Sequence, residues 1–130
     1  MALALLDTHA LLWWTLDPEQ LSARAREVCQ QMEEDGGLVS SISLWELGIK
    51  VKRGALVLPL ELDAYVRRLR DLEWLEIVSV DADLWLRNVA LPWEHRDPAD
   101  RTIVATAQRY DVPLVSKDQV ITDFYPRTVW

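Results

Sequence analysis

Leu3-Ala4-Leu5-Leu6-Asp7-Thr8, residues 3–8, is the stretch that decides the fold, because an unbroken apolar run ends there in an acid and a helix-capping threonine. A short apolar run without alternation is typical of a strand that is buried on both faces of a parallel sheet. We therefore expect residues 3–6 to form a central strand. A helix is predicted to start at Thr8 and to end near Leu16, because Asp17-Pro18 follows.

The remainder of the chain alternates predicted strands and helices. Strands are predicted at residues 38–42, 75–80 and 113–116, with a short edge strand at 127–130. Helices are predicted at 21–34, 43–54, 60–72, 81–90 and 97–110, with a brief helical turn from 118. This alternation predicts an α/β fold with a parallel sheet, and the 130 residues suit one domain, 1–130.

Four acids lie just behind or close to the apolar runs: Asp7, Glu46, Asp100 and Asp118. Three of them would meet at the carboxyl ends of parallel strands, where open α/β sheets form their ligand crevice, and Asp100 would join them from a helix start. Carboxylates gathered in this way repel one another unless protons or cations intervene. Hard oxygen ligands favour Mg²⁺ or Mn²⁺, the usual ions of phosphoryl-transfer chemistry. The pattern indicates a metal-dependent nuclease.

Each acid also has a local alternative, which is capping of a helix. Ser43 and Glu46 match the S-x-x-E capping box, and Asp97 and Asp100 flank Pro98 as an N-cap and a first-turn acid would. Asp7 could cap the helix that follows it, and so could Asp118. Caps are already available without the four acids, at Thr8, Ser43 and Asp97. From spacing alone, metal binding and capping therefore both stay open.

The net charge of −7 argues against non-specific binding of nucleic acid through bulk electrostatics. It does not exclude a nucleic-acid substrate, because four of the negative charges belong to the proposed metal site and a bound cation reverses the local field. Two basic clusters are either phosphate contacts or solvated helix faces. They are Lys50, Lys52 and Arg53, and Arg67, Arg68 and Arg70.

The remaining composition excludes several other classes. Cys29 is the single cysteine, so neither an internal disulfide nor a Cys-based zinc site is expected, which suits a reducing cytosol. No apolar stretch reaches a membrane span and the N-terminus has no basic region, so we expect a cytoplasmic protein. His9 and His95 are not spaced as a zinc pair, and no glycine-rich phosphate loop is present.

Seven tryptophans are unusual for so short a chain. Tryptophan is enriched at interfaces because it joins a large apolar area to a polar group. We nevertheless expect most of the seven to fill the core.

Four segments, in order along the chain, resemble the VapC-like toxin ribonucleases of the PIN-domain family. They are residues 5–14 (LLDTHALLWW), residues 41–50 (SISLWELGIK) with Gly54 and Leu56 behind them, residues 95–101 (HRDPADR) running into 103–107, and residues 114–118 (LVSKD). Any one of these is weak evidence, but the four together are specific and span nearly the whole chain. Two positions differ from the family pattern: Ala99 stands where a larger apolar residue, often Phe, is expected, and Ser116 stands where Thr is frequent. Neither difference replaces one of the four acids.

The resemblance implies a PIN-like three-layer α/β/α fold with a central, mostly parallel sheet of four to five strands. It makes Asp7, Glu46, Asp100 and Asp118 the catalytic acids of an Mg²⁺- or Mn²⁺-dependent endoribonuclease, the toxin of a type II toxin–antitoxin pair. It also implies single-stranded or loop RNA as the substrate, a cognate antitoxin protein that inserts a segment into the active-site groove, and a homodimer.

The mechanism that follows is attack on phosphorus by metal-activated water. Asp7 and Asp100 would hold the ion, Asp118 would complete its ligands or hold a second ion, and Glu46 would bind through water or accept a proton. Three further residues are candidates for supporting roles: Thr8 or Ser116 for a hydrogen bond to a phosphate oxygen, and Asp97 as a cap or an outer support of the site.

Three alternatives remain. One is a PIN-fold nuclease without a toxin role, acting in RNA processing or on DNA. Another is a catalytically idle, protein-binding PIN domain, against which the presence of all four acids counts. The third is a receiver-like signalling module, for which Lys117 behind an apolar strand gives some support. Its expected adjacent pair of acids after the first strand is missing here.

Overall fold

The sheet is built outward from its first strand. In the computed structural model, which describes residues 2–130, parallel strands form one five-stranded sheet. The strands are β1 (Leu5–Leu6), β2 (Gly37–Ser40), β3 (Leu75–Val78), β4 (Leu114–Val115) and β5 (Thr128–Val129), in the spatial order β3-β2-β1-β4-β5. Leu5 pairs with Leu38 on one side and with Leu114 on the other. The central position of β1 and the edge position of β5 were both predicted and are confirmed.

Helices connect the strands and cover the sheet. They are α1 (Thr8–Leu16), α2 (Ala23–Asp35), α3 (Ser41–Lys52), α4 (Leu62–Asp71), α5 (Ala82–Ala90), α6 (Pro98–Tyr110) and α7 (Gln119–Phe124), with a 3₁₀ turn at Pro18–Gln20. No helix within residues 2–130 has both the length and the apolar character that crossing a membrane requires.

The strands β1, β2, β3 and β4 each contribute to two cores, because successive side chains of a strand point to opposite faces of the sheet. One core packs the sheet against α5, α6 and α7, and the other packs it against α1, α2 and α4. The strand residues of the first core include Leu5, Leu38 and Leu114, and those of the second include Leu6, Val39 and Val115. The α/β/α layering is therefore confirmed, and the sheet is parallel throughout.

The boundary between β2 and α3 lies earlier than predicted. β2 ends at Ser40, which pairs with Val78 of β3, and the Ser40 hydroxyl caps α3 by accepting the Ile42 amide at 3.2 Å. The capping box of Ser43 and Glu46, which the sequence left open as an alternative, is therefore absent from the structure. Glu46 lies in the second turn of α3, and Ser43 is fully buried. Pairing with β3 keeps the chain extended through Ser40, and this selects one capping serine over the other.

The expectation that most tryptophans fill the core is also wrong. Trp45 and Trp85 are 54% and 44% exposed. The others are only partly buried and pack at the edges of the two cores: Trp13, Trp14, Trp74, Trp93 and Trp130. Composition alone cannot show this, because the large indole ring fits the rim of a core as well as its centre.

Removing a core side chain from α6 should destabilise the protein strongly. Ile103 is 1% exposed and packs between α6 and the sheet. We expect Ile103→Ala to lower the free energy of unfolding by about 2–5 kcal/mol in urea titration. Val57→Ala is the matched control, because Val57 is 89% exposed, and its effect should stay within about 0.5 kcal/mol. Equal effects of the two substitutions would contradict the packing described above.

Candidate active site

The order of the strands creates a crevice at the carboxyl end of β1. The chain leaves β1 toward β2 and β3 on one side and returns to β4 and β5 on the other, so a topological switch point lies between β1 and β4. Asp7 follows β1 directly, and its amide donates to the Val115 carbonyl of β4 at 3.1 Å. Asp118 lies three residues beyond β4. The sheet therefore brings together two acids that are 111 residues apart in the sequence (118 − 7).

All four predicted acids line one cleft of about 510 Å³. Asp97 and Thr8 also line it, as do four residues outside the predicted set: His9, Trp13, Lys50 and Lys117. The predicted convergence of the acids is therefore present in the structure, whereas their catalytic roles remain predictions.

Asp7 is the most deeply placed of the acids, with only 7% of the residue exposed. It caps α1, because its Oδ1 accepts the Ala10 amide at 2.8 Å; Thr8, the expected cap, is the first residue of the helix. Burial raises the pKa of Asp7 to about 6, and the nearby Asp100 and Asp118 carboxylates add to the rise. Hydrogen bonds from the Ser116 hydroxyl and the Ala10 amide act in the opposite direction. Asp7 therefore caps α1. Keeping its buried carboxylate ionised costs free energy, and a bound cation would reduce that cost.

Asp100 lies in the first turn of α6, and Asp97 is the N-cap of that helix, since its Oδ1 accepts the Asp100 amide at 2.9 Å. The Asp100 side chain is 19% exposed, and its Oδ2 lies 2.7 Å from His95 Nε2. Burial raises the pKa of Asp100, the His95 hydrogen bond lowers it, and Asp97 and Asp118 raise it further. The contact between His95 and Asp100 was not predicted from the sequence. The short spacing of five residues was the available signal.

Arg101 fixes the segment between α5 and α6 that carries His95. Its guanidinium donates to the backbone oxygens of Asn88 at 2.6 Å, Leu91 at 3.2 Å and His95 at 3.0 Å, and also to that of Trp93. This segment has no regular secondary structure of its own, so one side chain supplies the donors that a helix or sheet would otherwise supply. His95 is thereby held at a fixed place beside Asp100.

Glu46 and Asp118 are the two remaining acids of the set. Glu46 is half-buried on α3, and Asp118 is exposed and caps α7, its Oδ1 accepting the Val120 amide at 2.8 Å. Capping and cleft lining therefore coexist at Asp7 and Asp118. The two interpretations that the sequence left open are not exclusive, since a cap uses one carboxylate oxygen and leaves the other free.

The hydroxyls of Thr8 and Ser116 are both engaged by protein groups. Thr8 donates to Ser43 at 2.9 Å, and Ser116, fully buried, bonds to Asp7 and accepts the Asp118 amide at 3.1 Å. A hydrogen bond from either hydroxyl to a phosphate would replace one of these bonds. Their direct contribution is the placement of the acids.

Within residues 2–130, no group of three His, Cys, Asp or Glu side chains is arranged so that it could hold a metal ion as it stands. The chemistry of the donors nevertheless fits a hard divalent cation, because the cleft offers carboxylates from separate elements, and burial and mutual repulsion raise the pKa of two of them. Binding therefore requires the carboxylates to close around the ion.

Comparison with known proteins gives a consistent result. The family model described as PIN domain matches residues 4–125. A curated relative, "Ribonuclease VapC22" of Mycobacterium tuberculosis, is 32% identical over 134 residues that cover all of both chains.

Solved structures share the fold at lower identity. A toxin–antitoxin complex from Klebsiella pneumoniae matches with a TM-score of 0.63 at 24% identity, covering 98% of this chain and 96% of the other. VapBC2 from Rickettsia felis, bound to a DNA fragment from its promoter, matches with a TM-score of 0.67 at 16% identity and the same coverage.

The raised pKa of Asp7 predicts a pH-dependent stability. Between pH 4 and pH 6 the folded protein holds a proton that the unfolded chain has released, so stability falls as pH rises through this window. In EDTA, we expect Asp7→Asn to melt near the wild-type temperature at pH 4. At pH 7 it should gain up to about 3 kcal/mol over wild type, because one pKa unit corresponds to about 1.4 kcal/mol.

The measurement is thermal unfolding followed by circular dichroism at several pH values. Asp123→Asn, at an exposed position on α7, is the matched control and should keep the wild-type pH dependence. An Asp7→Asn advantage that does not change with pH would show that the buried charge is not its cause.

Proposed function

Because the chain belongs to the PIN domain family, we propose that it is a divalent-metal-dependent endoribonuclease that acts as the toxin of a type II toxin–antitoxin pair. The observation that carries this proposal is the convergence of Asp7, Glu46, Asp100 and Asp118 on one cleft. The full-length similarity to a relative named as a ribonuclease supports the reaction class.

We assign the metal ligands to Asp7, Asp100 and Asp118, with Mg²⁺ or Mn²⁺ as the ion. When bound, such an ion lowers the pKa of a water molecule and stabilises charge on the phosphate oxygens. Asp7 provides a rigid ligand, because its position is set by β1 and by the first turn of α1. Asp100 enters from α6 with its carboxylate oriented by His95. Asp118 completes the set from the more accessible side of the cleft.

Other residues act on the substrate and on protons. Glu46 is half-buried on α3, outside the deepest part of the cleft, and is suited to accept a proton from the attacking water. Asp97 stabilises the start of α6 and so keeps Asp100 in place. The Thr8 and Ser116 hydroxyls support the site from within the protein.

We propose a cognate antitoxin protein as the partner, a homodimer as the assembly and the cytoplasm as the place of action, with residues 1–130 acting as one domain. The solved structures with this fold include toxin–antitoxin complexes, which supports the first of these. Exposed Trp45 and Trp85 supply apolar surface of the kind that interfaces bury. The free thiol of Cys29, which is buried, is compatible with a reducing compartment.

The strand order argues against a receiver-like module. The flavodoxin-like order of such domains is 2-1-3-4-5, whereas this sheet has the order β3-β2-β1-β4-β5. A PIN-fold nuclease without a toxin role keeps the same site chemistry, and differs only in the cellular consequence of cleavage.

Loss of one charge from Asp100 should abolish most RNA cleavage. We expect purified Asp100→Asn to cleave RNA at least about a hundredfold more slowly than wild type in Mg²⁺ or Mn²⁺, since a metal contact is worth several kcal/mol in the transition state. EDTA should abolish wild-type cleavage. Asp97→Asn is the matched variant: it keeps a side-chain cap at the same helix end and should lose less than about tenfold. Equal cleavage by all three proteins, or none by wild type, contradicts the proposal.

Growth of a bacterial host separates the toxin from a processing nuclease. Induced expression of the wild-type chain should arrest growth, and the Asp100→Asn chain, expressed to the same level, should not. Continued growth with wild type, together with RNA cleavage in vitro, would favour the non-toxic nuclease.

A further inference from the structure

A second cavity opens from the side of the acidic cleft. It has a volume of about 370 Å³ and shares four lining residues with the cleft: Thr8, His9, Trp13 and Lys50. The rest of its lining is apolar, contributed by Leu12 of α1, Leu47 of α3 and the segment with Ala55 and Leu56. This side cavity therefore lies next to the proposed reaction centre but offers a different chemistry.

Two aromatic rings stand at the boundary between the cleft and the side cavity. The rings of His9 and Trp13 are 5.4 Å apart, with an angle of 36° between their planes, and Trp130 supports Trp13 from 5.7 Å. Lys50 Nζ lies 3.3 Å from His9 Nε2. Partial burial and the Lys50 ammonium lower the pKa of His9. The His9 ring therefore lies between the Lys50 ammonium and the Trp13 ring, where the cleft and the side cavity share their lining.

The positive charges of the cleft lie on this same wall. Lys50 and Lys117 are the cationic side chains in the lining of the cleft, and Lys117 Nζ is 5.9 Å from the centre of the Trp13 ring. Acids lie close to both lysines, because Glu46 is one helical turn before Lys50 on α3 and Asp118 directly follows Lys117. In a protein of net charge −7, a polyanionic chain that enters the cleft therefore meets attraction chiefly at Lys50 and Lys117 themselves.

We propose that the side cavity is a nucleobase subsite, which receives an unpaired base of the RNA adjacent to the phosphate held at the acids. This inference rests on the proposed function and locates, within that site, the place where one base of the substrate is held. An apolar recess with aromatic rings at its mouth suits the face of a base, and Lys50 and Lys117 suit the phosphates on either side. A base in a duplex cannot enter without leaving its stack and its partner, which disfavours paired RNA. An apolar peptide side chain would fill the recess but would leave both lysines unused.

Binding to an inactive background tests the subsite separately from cleavage. In Asp100→Asn protein with Mg²⁺, a fluorescein-labelled single-stranded RNA octamer is titrated and its anisotropy is followed. Adding Trp13→Leu should raise Kd about tenfold, within the range that loss of one base–aromatic stack gives, and Trp13→Phe should stay within about threefold of the parent. Tyr110→Leu at the last residue of α6 is the control for loss of an exposed aromatic side chain outside the cleft, and it should leave Kd unchanged.

An octamer with single abasic positions makes the test specific for a base. At one position, the abasic RNA should bind the parent about tenfold more weakly and should bind Trp13→Leu with no further loss, because both changes remove the same stack. Lys50→Gln should weaken binding and reduce the salt dependence of Kd by about one phosphate contact. If thermal unfolding shows that Trp13→Leu does not fold, Lys50→Gln and Trp13→Phe still test the subsite.

The outcomes are distinguishable. If wild type cleaves RNA while no abasic position and neither the Trp13→Leu nor the Lys50→Gln substitution changes Kd, the subsite is overturned and the nuclease stands. If wild type neither cleaves nor the parent binds any RNA, the proposed function fails and the subsite with it. Equal affinity for the octamer and its duplex would also overturn the subsite.

Discussion

The parallel pairing of β1 with both of its neighbours is the constraint on which the cleft depends. With β2 on one side and β4 on the other, β1 has no free edge, and the residue that follows it emerges at a single point between two connections. Asp7 occupies that point, and its backbone is already tied to β4 and to the start of α1. Its carboxylate has little freedom to move toward water, and burial, together with the nearby Asp100 and Asp118 carboxylates, keeps its pKa raised. The sheet therefore holds a negative charge in a place where its free-energy cost is removed by protonation at low pH or by a bound cation at neutral pH.

The cleft combines two kinds of charged side chain that the proposed function uses differently. Its acids repel phosphate until a cation is present, whereas Lys50 and Lys117 attract phosphate and Trp13 adjoins the proposed base subsite. A negative net charge is thus compatible with a nuclease, because binding of a nucleic acid depends on the charges that line the cleft. A site of this kind binds substrate weakly in the absence of metal, and metal occupancy and RNA binding become coupled.

The sequence predicted those features that follow from strand periodicity and from the direction of parallel strands. Asp7 and Asp118 could be placed at one edge of the sheet because each follows a short apolar run. Glu46 lines the cleft, whereas the capping box that was its alternative explanation does not form. Ser40 and Ser43 are locally equivalent, and only the pairing of β2 with β3 selects between them. Trp13 could not be placed, because whether a tryptophan lines a cleft or fills a core depends on how helices from distant segments pack. The same holds for His95, whose position depends on Arg101 and on a segment without regular structure.

The hydrogen bonds from Arg101 to the backbone limit how the connection between α5 and α6 can change in length and in sequence. A connection between two helices is normally the part of a domain that tolerates insertions and changes in length. Here four backbone oxygens converge on one planar group, so a residue added between Leu91 and His95 would move at least two of them out of reach. Lysine cannot take over, because its ammonium carries three donors on a single atom and lacks the flat fork that reaches several acceptors at once. The connection between α5 and α6 therefore lies at the surface but tolerates insertions and substitution of Arg101 as poorly as a buried segment would.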